Sequence, residues 1–260
     1  MADSDRIGSN GECPRPAKSV RAERNPQEEE TRMRENKPKS VQQASLASTV
    51  PQGVVVAEQK GRLTGSLYEE EATCLLKAVD KRRIEFAAGR ECARRALKEL
   101  GVFEQAILQG PSREPLWPSG IVGSITHCEG YCAAAVASGR DLLSIGIDAE
   151  LNSPLPDGVL KVVAVEDEIE MLQALRDEHR ICWDRLLFSV KESIYKAWYP
   201  VGRSWLDFDE ARVILDQEDS SFVAQISPAS IKETSVWSLR GRFVVSESLI
   251  LTSAVFDPVY

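Results

Sequence analysis

The sequence predicts an α+β protein built from two similar halves. Two segments, 81–100 and 183–199, repeat apolar residues with the 3.6-residue period of amphipathic helices. Short apolar segments bounded by turn residues lie at 121–147 and again at 211–255, which is typical of strands. A strand, a helix and paired strands occur before Asp148 and again after it, so we expect the two halves to meet near that residue.

The composition argues against several classes of protein. The chain has 260 residues, of which 43% are hydrophobic, and a formal net charge of −8. This charge argues against nucleic acid as the main partner, because there is no basic surplus to neutralise phosphates. No run of about 18 apolar residues occurs, which predicts no membrane span. The N-terminus has no apolar signal core, which predicts a cytoplasmic protein.

The cysteines and histidines restrict the possible metal sites. Six cysteines are scattered without a CxxC pair, and in a cytoplasmic protein we expect free thiols. Only two histidines, His127 and His179, occur in the chain, so a multi-histidine metal centre is excluded.

Residues 1–52 are polar and mixed in charge, without an amphipathic period, and predict a disordered tail. We expect an N-terminal half over 53–145 and a C-terminal half over 146–260. The first half opens with a predicted strand at GVVVAEQ, followed by a helix over 69–79. The next helix, 81–100, is closed by Gly101 at the C′ position. Its buried row is predicted to be Ile84, Ala88, Cys92, Ala96 and Leu100.

The helix over 81–100 carries an arginine row on another side. Arg83, Arg90 and Arg94 follow one another at i, i+7 and i+11, with Arg82 beside them. A solvated basic face is the common explanation of such a row. A clamp for phosphate groups is the alternative, because the guanidinium group binds phosphate through paired hydrogen bonds. The residues alone leave both open.

A proline-rich connector, 111–120, cannot hold a helix. Segments 121–126 and 131–137 then predict two strands joined as a hairpin by HCEG. His127 is therefore expected at a strand end, on the turn, where binding groups are common. A lone histidine is more often structural, and both interpretations remain.

A third strand is predicted over 143–147, followed by Asp148, Ala149 and Glu150. Strand alternation puts Asp148 and Glu150 on one face. Adjacent carboxylates repel each other unless a cation joins them, and oxygen ligands of this kind suit Mg²⁺. The simpler alternative is a pair of exposed acids at the end of a strand.

The C-terminal half is organised around the helix over 183–199. A helix over 166–180 precedes it, and strands are predicted after it over 211–216, 222–226, 236–239, 242–245 and 249–255. Its core-facing stripe is predicted to be Trp183, Leu186, Leu187, Val190, Ile194, Ala197 and Trp198.

The opposite side of this helix has a second apolar row, formed by Phe188, Tyr195 and Tyr199, and Glu192 lies within it. We therefore expect Glu192 to be at least partly buried, where a carboxylate needs a cation or a metal beside it. The alternative is an ordinary surface pair of Glu192 and Lys196 at i, i+4.

Four motifs together resemble those of the Sfp-type 4′-phosphopantetheinyl transferases. They are GIDAE at 146–150, FSVKESIYKAW at 188–198, GSITHC at 123–128 and RRIEFAAGRECARRAL at 82–97. The resemblance covers 54–260, and the last two motifs are most similar to the enterobactin-synthesis and actinobacterial subgroup. It implies the family's fold, in which two α/β halves are related by a pseudo-twofold axis with the active site between them.

The resemblance also implies a reaction. The 4′-phosphopantetheine group of coenzyme A would pass to a serine of an apo acyl or peptidyl carrier protein, with release of adenosine 3′,5′-bisphosphate. Asp148, Glu150 and Glu192 would bind Mg²⁺, and Ala149 would add its backbone. Glu192 would also be the general base, and Lys196 would offset charge on the bridging oxygen and the α-phosphate.

The same resemblance implies residues that contact coenzyme A. Thr126 and His127 would hold the 3′-phosphate. Arg82 or Arg83, together with Arg90, would hold the nucleotide end.

Arg113 and Trp205 complete the set of candidate coenzyme A contacts, Trp205 as a wall of the pantetheine channel.

Because the chain is itself acidic, docking of an acidic carrier is expected to depend on an apolar patch with local basic residues. Arg185, Arg203 and the connector are candidates for that patch. Two halves in one chain predict a monomer.

Two other functions would use the same residues. An Mg²⁺-dependent nucleotide pyrophosphohydrolase would need no carrier protein. A non-catalytic binder of coenzyme A or of carrier domains would have a degenerate site. The presence of Asp148, Glu150, Glu192 and Lys196 favours the transferase over the binder.

Overall fold

The computed structural model describes residues 44–75, 78–175, 181–229 and 237–256. The strands of this part are Val55–Lys60 (β1), Ile121–Cys128 (β2), Tyr131–Ser138 (β3), Ser144–Leu151 (β4), Ala211–Asp216 (β5), Ser221–Ile226 (β6), Trp237–Val245 (β7) and Leu249–Phe256 (β8). Its helices are Glu69–Ala72 (α1), Asp80–Glu99 (α2), Leu160–Val163 (α3), Glu166–Ala174 (α4) and Trp183–Gly202 (α5). Short 3₁₀ turns lie at Leu46–Ser48, Thr73–Leu75 and Phe208–Glu210.

The strands form two antiparallel sheets, and each sheet packs against one long helix. The first sheet has the order β1-β3-β2 and the second the order β4-β8-β7-β6-β5. One apolar cluster lies between α2 and the first sheet, a second between the two sheets, and a third between the second sheet and α5. The protein is therefore mixed α+β, as predicted.

Strand β3 is buried on both faces. Ala133 and Ala135 belong to the cluster between the sheets, whereas Ala134 and Val136 belong to the cluster under α2. Alternation of side chains along a strand produces this division. The run of alanines lets the layers on both sides of β3 approach closely.

The long helices were predicted well, with one error in α2. Gly101 has φ +82°, its N–H donates to the oxygen of Lys98, and the N–H of Val102 donates to the oxygen of Leu97, which is a Schellman ending. The buried row nevertheless excludes Ile84, which is 52% exposed. Phe86 takes the buried side at that end of the helix instead, beneath the guanidinium of Arg90.

Three other predicted elements have different bounds. The helix expected over 69–79 is the single turn α1 followed by a 3₁₀ turn, where the Thr73 hydroxyl bonds back to the oxygen of Glu70. The helix expected over 166–180 ends at Ala174, and residues 176–180 lie outside the described part. The two strands expected over 236–239 and 242–245 are the single strand β7, because Gly241 leaves room for the ring of Phe222.

The folded part begins before Gly53, so the predicted tail to residue 52 is too long. Leu46 is fully buried in the cluster between the sheets. The hydroxyl of Ser45 and the N–H of Leu46 both donate to the carboxylate of Glu58 on β1. Residues 1–43 lie outside the described part.

The candidate residues lie inside strands where turns or strand ends were expected. The β2–β3 hairpin turns at Glu129 and Gly130, so that His127 is a strand residue paired with Cys132. β4 continues to Leu151, which places Asp148 and Glu150 within the strand. The seven residues of the α5 stripe are buried, as predicted. None of the described helices is both long enough and apolar enough to cross a membrane.

Candidate active site

The edges of the two sheets meet where β2 lies beside β4. The N–H of Ile147 donates to the hydroxyl of Ser124 at 3.1 Å. The Thr126 hydroxyl donates to Oδ1 of Asp148 at 3.3 Å. These two hydroxyls satisfy groups at the edge of the second sheet, and they bring the first sheet into contact with Asp148.

Helix α5 crosses β4 at Gly146. A Cβ at this position would collide with the backbone of Ser193 and Ala197, so only glycine permits the approach. The Ser144 hydroxyl donates to the oxygen of Ala197 at the same crossing. The close packing brings the Asp148 side of β4 against the polar residues of α5.

Asp148 is 5% exposed, and both of its carboxylate oxygens are engaged. Nζ of Lys196 lies 2.6 Å from Oδ1 and also donates to the oxygen of Ile147 at 3.1 Å. The Ser189 hydroxyl donates to Oδ2 at 2.9 Å. Lys196 therefore forms its ion pair with Asp148, and not with Glu192 one turn away on its own helix.

Glu192 is half-buried, which confirms the expectation of partial burial. Within the described residues its carboxylate accepts no hydrogen bond. Burial raises the pKa of Glu192, and the charge of Asp148 adds to this, while Lys196 opposes it. A carboxylate with a raised pKa is a better proton acceptor than an exposed one.

Glu150 lies on the same face of β4 and is held by Arg185. Nη1 of Arg185 is 3.0 Å from the Glu150 carboxylate, and its other nitrogens donate to the oxygens of Ser153 and Pro154. Burial raises the pKa of Glu150, with Asp148 as the next cause, and Arg185 opposes both. Ala149 points the other way, into the cluster between the sheets.

These carboxylates suit Mg²⁺ chemically but are not gathered around a metal position. Carboxylate oxygens are hard ligands, and a cation would relieve the repulsion from Asp148 that helps to raise the pKa values of Glu150 and Glu192. Within the described ranges, however, no group of three or more His, Cys, Asp or Glu side chains could hold a metal ion. A divalent cation on Asp148 would first have to replace Lys196.

A cleft of about 540 Å³ opens beside Glu192 and Lys196. Its walls come from the connector (112–117), from β2 (121–125) and from the last turns of α5. Arg113 and Arg203 supply positive charge to it, and Trp117 and Tyr195 supply apolar surface. The mixed lining suits a ligand that has both phosphate and apolar parts.

His127 lies on β2 beside the start of α2. Nη1 of Arg82 is 2.8 Å from its Nε2, and the carboxylate of Glu85 is 3.8 Å from its Nδ1. Burial lowers the pKa of His127; Glu85 opposes this, and Arg82 adds to it. The structure thus brings together two of the residues predicted to contact coenzyme A, Arg82 and His127.

Three more candidates, like Arg82 and His127, lie outside the lining of the cleft. Arg83 is exposed and donates to the oxygen of Ala78. Arg90 is 4% exposed and donates to the oxygen of Ile107 at 2.6 Å, and burial lowers its pKa to about 10. Trp205 is 67% exposed and packs on Tyr195, which does line the cleft.

The arginine row of α2 is divided between structural and exposed positions. Arg94 forms a buried ion pair with Glu71 at 3.0 Å and donates to the oxygen of Ser66. Neither a solvated face nor a single clamp describes the row, because Arg90 and Arg94 are buried and Arg83 is exposed.

Sequence reasoning missed Ser189, Glu85 and Lys191. Nζ of Lys191 is buried and donates to Glu168 at 2.7 Å and to two backbone oxygens, which fixes the face of α5 next to Glu192. Lys191 lies between the buried residues Leu187 and Ile194 at helical spacing, and this position could have predicted its burial. Ser189 and Glu85 had no such signal, because their partners Asp148 and His127 are distant in sequence.

The chain matches two family models and several known proteins. The family model of the 4′-phosphopantetheinyl transferase N-terminal domain matches residues 69–137, and that of the 4′-phosphopantetheinyl transferase superfamily matches 144–250. The chain is 45% identical over 190 residues to the 4′-phosphopantetheinyl transferase Svp of Streptomyces mobaraensis, covering 72% of this chain and 77% of that protein. It is 41% identical over 199 residues to Npt of Nocardia iowensis, with 73% and 89% covered.

A third relative extends the agreement. The 4′-phosphopantetheinyl transferase PptT of Mycobacterium tuberculosis is 39% identical over 193 residues, which cover 72% of this chain and 84% of that protein. The two matched family models include the segments that carry Thr126, Asp148, Glu192 and Lys196. The chain therefore belongs to the 4′-phosphopantetheinyl transferase superfamily.

Proposed function

We propose that this protein transfers the 4′-phosphopantetheine group of coenzyme A to a serine hydroxyl of apo acyl and peptidyl carrier proteins. The observation that carries the proposal is the ion pair of Lys196 and Asp148 beside Glu192, at the wall of a cleft of about 540 Å³. The relatives Svp, Npt and PptT bear the name of this activity. The lining of the cleft comes from both predicted halves, which supports an active site between them.

The chemistry follows from the two charged groups at the cleft. The serine oxygen forms a bond to the β-phosphorus of coenzyme A, and the bond from that phosphorus to the bridging oxygen breaks. Adenosine 3′,5′-bisphosphate leaves, and Lys196 offsets the charge that develops on the bridging oxygen and the α-phosphate. The hydroxyl proton passes to Glu192, whose raised pKa supports this role.

Asp148, Glu150 and Glu192 would hold Mg²⁺, with the backbone of Ala149 beside them. The metal would neutralise phosphate charge and polarise the phosphoryl oxygens. On this proposal Lys196 leaves Asp148 for the phosphates when the substrate binds. Its side chain is 28% exposed, so it has room to move, whereas Arg185 is tied down by three contacts.

The nucleotide end of coenzyme A is assigned to the cationic groups nearby. Arg82 and His127 would contact the 3′-phosphate, with Thr126 next to them on β2. Arg113 lines the cleft and would contact the phosphates or the base. Arg83 and Arg90 remain candidates only if they change side-chain contacts on binding, since Arg90 is bound to Ile107.

The pantetheine arm is assigned to the aromatic row of α5. Tyr195 lines the cleft, and Trp205 covers Tyr195 with ring centres 5.0 Å apart. Phe188 packs on Phe208 at 6.0 Å, one turn before Glu192. Aromatic side chains on both sides of Glu192 would exclude water from the reacting groups.

The test is intact mass spectrometry of an apo acyl carrier protein incubated with this protein, coenzyme A and Mg²⁺. The expected result is the gain of one phosphopantetheine group, which is lost with EDTA and with Asp148→Ala. Size-exclusion chromatography of the same sample tests the predicted monomer.

The test also separates the transferase from the two alternatives. Consumption of coenzyme A without modification of several acyl and peptidyl carriers would identify a pyrophosphohydrolase. Binding of coenzyme A without either reaction would identify a non-catalytic binder.

A further inference from the structure

His127 lies between a carboxylate and a guanidinium group, both supplied by α2. Glu85 lies 3.8 Å from Nδ1, and Arg82 lies 2.8 Å from Nε2. The Glu85 side chain is 16% exposed and that of His127 is 32% exposed, so neither charge is fully solvated. Both partners come from α2, where Arg82 and Glu85 lie three residues apart on one side of the helix, which fixes them relative to the ring.

These contacts determine the tautomer of His127. A guanidinium group can only donate hydrogen bonds, so Nε2 must accept from Arg82 and carries no proton. The proton of the neutral ring is therefore on Nδ1, which faces the carboxylate of Glu85. The ligand-free ring has no donor on the Nε2 side.

A phosphate group that binds on the Nε2 side needs a donor there. His127 can supply one only by gaining a proton at Nε2, which makes it an imidazolium. Glu85, whose carboxylate lies 3.8 Å from Nδ1, would stabilise that cation by charge attraction. Of the other charged groups that act on the ring, Asp148 also favours the cation, and Arg82 and Lys196 oppose it.

Glu85 has no competing structural task among the described residues. Its carboxylate accepts no hydrogen bond there, and its other ion-pair partner, Lys81, is 4.0 Å away with a side chain that is 78% exposed. An ion pair of that exposure contributes little to stability. The structural ion pair of the same helix, Arg94 with Glu71, is by contrast buried and hydrogen-bonded.

We propose that Glu85 is a positioning residue that makes His127 a proton-linked receptor for a phosphate monoester, so that binding of coenzyme A through its 3′-phosphate takes up a proton. The proton comes from solvent and goes to Nε2 of His127, and Arg82 turns from the ring to the phosphate. This inference rests on the proposed function, because coenzyme A is the ligand that brings the phosphate to His127.

The test is calorimetric titration of the full chain with coenzyme A and with dephospho-coenzyme A, which lacks the 3′-phosphate. Each titration is run at pH 7.5 with Mg²⁺ in two buffers of different ionisation enthalpy, which gives the number of protons taken up. Coenzyme A is expected to take up more protons than dephospho-coenzyme A. This comparison needs no variant and does not depend on how any substitution folds.

Glu85→Gln is expected to reduce the proton uptake and to weaken coenzyme A binding at pH 7.5, by up to about tenfold, since an opposite charge at this distance shifts a pKa by about one unit or more. Dephospho-coenzyme A should bind the variant as it binds the wild type. The difference in coenzyme A affinity between the wild type and Glu85→Gln should disappear at lower pH, where His127 is protonated even without the Glu85 charge. Glu99→Gln, which removes one charge from the exposed end of the same helix, should behave as the wild type.

Opposite results would overturn the inference. Equal proton uptake with both ligands, in a wild type that transfers phosphopantetheine normally, would reject it and leave the proposed function standing. Tighter binding of coenzyme A to Glu85→Gln would show that Glu85 merely repels the phosphate. Failure of the wild type to bind coenzyme A would reject the proposed function and the inference together.

Discussion

Lys196 lies near two carboxylates, those of Asp148 and Glu192, and forms its ion pair with Asp148. Its Nζ lies 2.6 Å from Asp148, while Glu192, four residues earlier on the same helix, has no hydrogen-bond partner among the described residues. The charge on Asp148 is more costly to leave unpaired than that on Glu192, because Asp148 is almost inaccessible to solvent. Glu192 has a raised pKa beside the cleft, chiefly because of its burial, with Asp148 adding to the shift and Lys196 opposing it.

Glu192→Gln is predicted to reduce transfer at least about 100-fold, because it removes the proposed proton acceptor. The unfolding free energy should stay the same or rise, since the amide places no charge in a half-buried position. Single-turnover mass spectrometry of the carrier protein and denaturant unfolding measure the two effects. Glu247→Gln, on an exposed loop, is the control, and transfer by Glu192→Gln at the wild-type rate would exclude the general base.

Arg113 lines the cleft with a left-handed backbone, φ +69°. Arg113→Gly should remove both the guanidinium and the backbone strain, and Arg113→Ala should remove the guanidinium alone. We expect both variants to bind coenzyme A about tenfold more weakly, as for the loss of one charged hydrogen bond. Denaturant unfolding should show Arg113→Gly to be more stable than Arg113→Ala by about 1 kcal/mol.

Equal binding of coenzyme A by the wild type and both Arg113 variants would remove this residue from the candidate set. Equal stability of the two variants would show that the left-handed backbone costs nothing at this position.

At the scale of elements, the crossing of α5 and β4 sets the geometry of the site. Gly146 and Ser144 allow the helix to approach the strand, so that Ser189 and Lys196 reach Asp148. The buried pair of Lys191 and Glu168 fixes the same helix from the other side. The site thus depends on how closely two elements pack, as much as on which residues they carry.

Gly146→Ala is predicted to destabilise the protein by about 1–3 kcal/mol, because the added methyl group meets the backbone of Ser193 and Ala197. Transfer should fall as well, since Asp148 moves relative to Lys196. Gly139→Ala is the matched control, because its Cβ would lie 3.3 Å from the nearest atom, the oxygen of Gly120, and would meet no backbone of α5. Denaturant unfolding and the transfer assay should separate the two variants; equal effects would argue against the crossing as the cause.

At the scale of the whole molecule, residues 44–52 join the two sheets. Ser45 and Leu46 bond to Glu58 on β1, Lys60 donates to the oxygen of Ala44, and the hydroxyl of Ser253 on β8 donates to the oxygen of Thr49. Leu46 fills the apolar cluster between the sheets. This short segment therefore helps to hold the two sheets together, and β2 and β4 lie side by side where the sheets meet.

A chain that starts at residue 53 is predicted to be less stable than one that starts at residue 44, by at least about 3 kcal/mol, since a buried leucine alone contributes about 2–5 kcal/mol. Denaturant unfolding of the two chains measures this difference, and Leu46→Ala in the full chain should reproduce much of it. Equal unfolding midpoints for the two chains would indicate that the folded part starts at Gly53.

The sequence by itself determined the α+β class, the family, the two long helices and, apart from Ile84, the face of each that is buried. These follow from periods of 2 and 3.6 residues and from the GIDAE and KES motifs, all of which are local. It also placed Asp148 and Glu150 together and Glu192 in an apolar row. Local rules could do this because each statement concerns one strand or one helix.

Only the tertiary structure decided which charges meet. It paired Lys196 with Asp148, buried Arg90 and Arg94 away from the cleft, and put Glu85 behind His127. These partners are distant in sequence or lie on different turns of a helix, and their contacts depend on the packing of layers. The physical reason is that a periodic pattern fixes the direction of a side chain on its own element, whereas the position of the neighbouring element follows from the core as a whole.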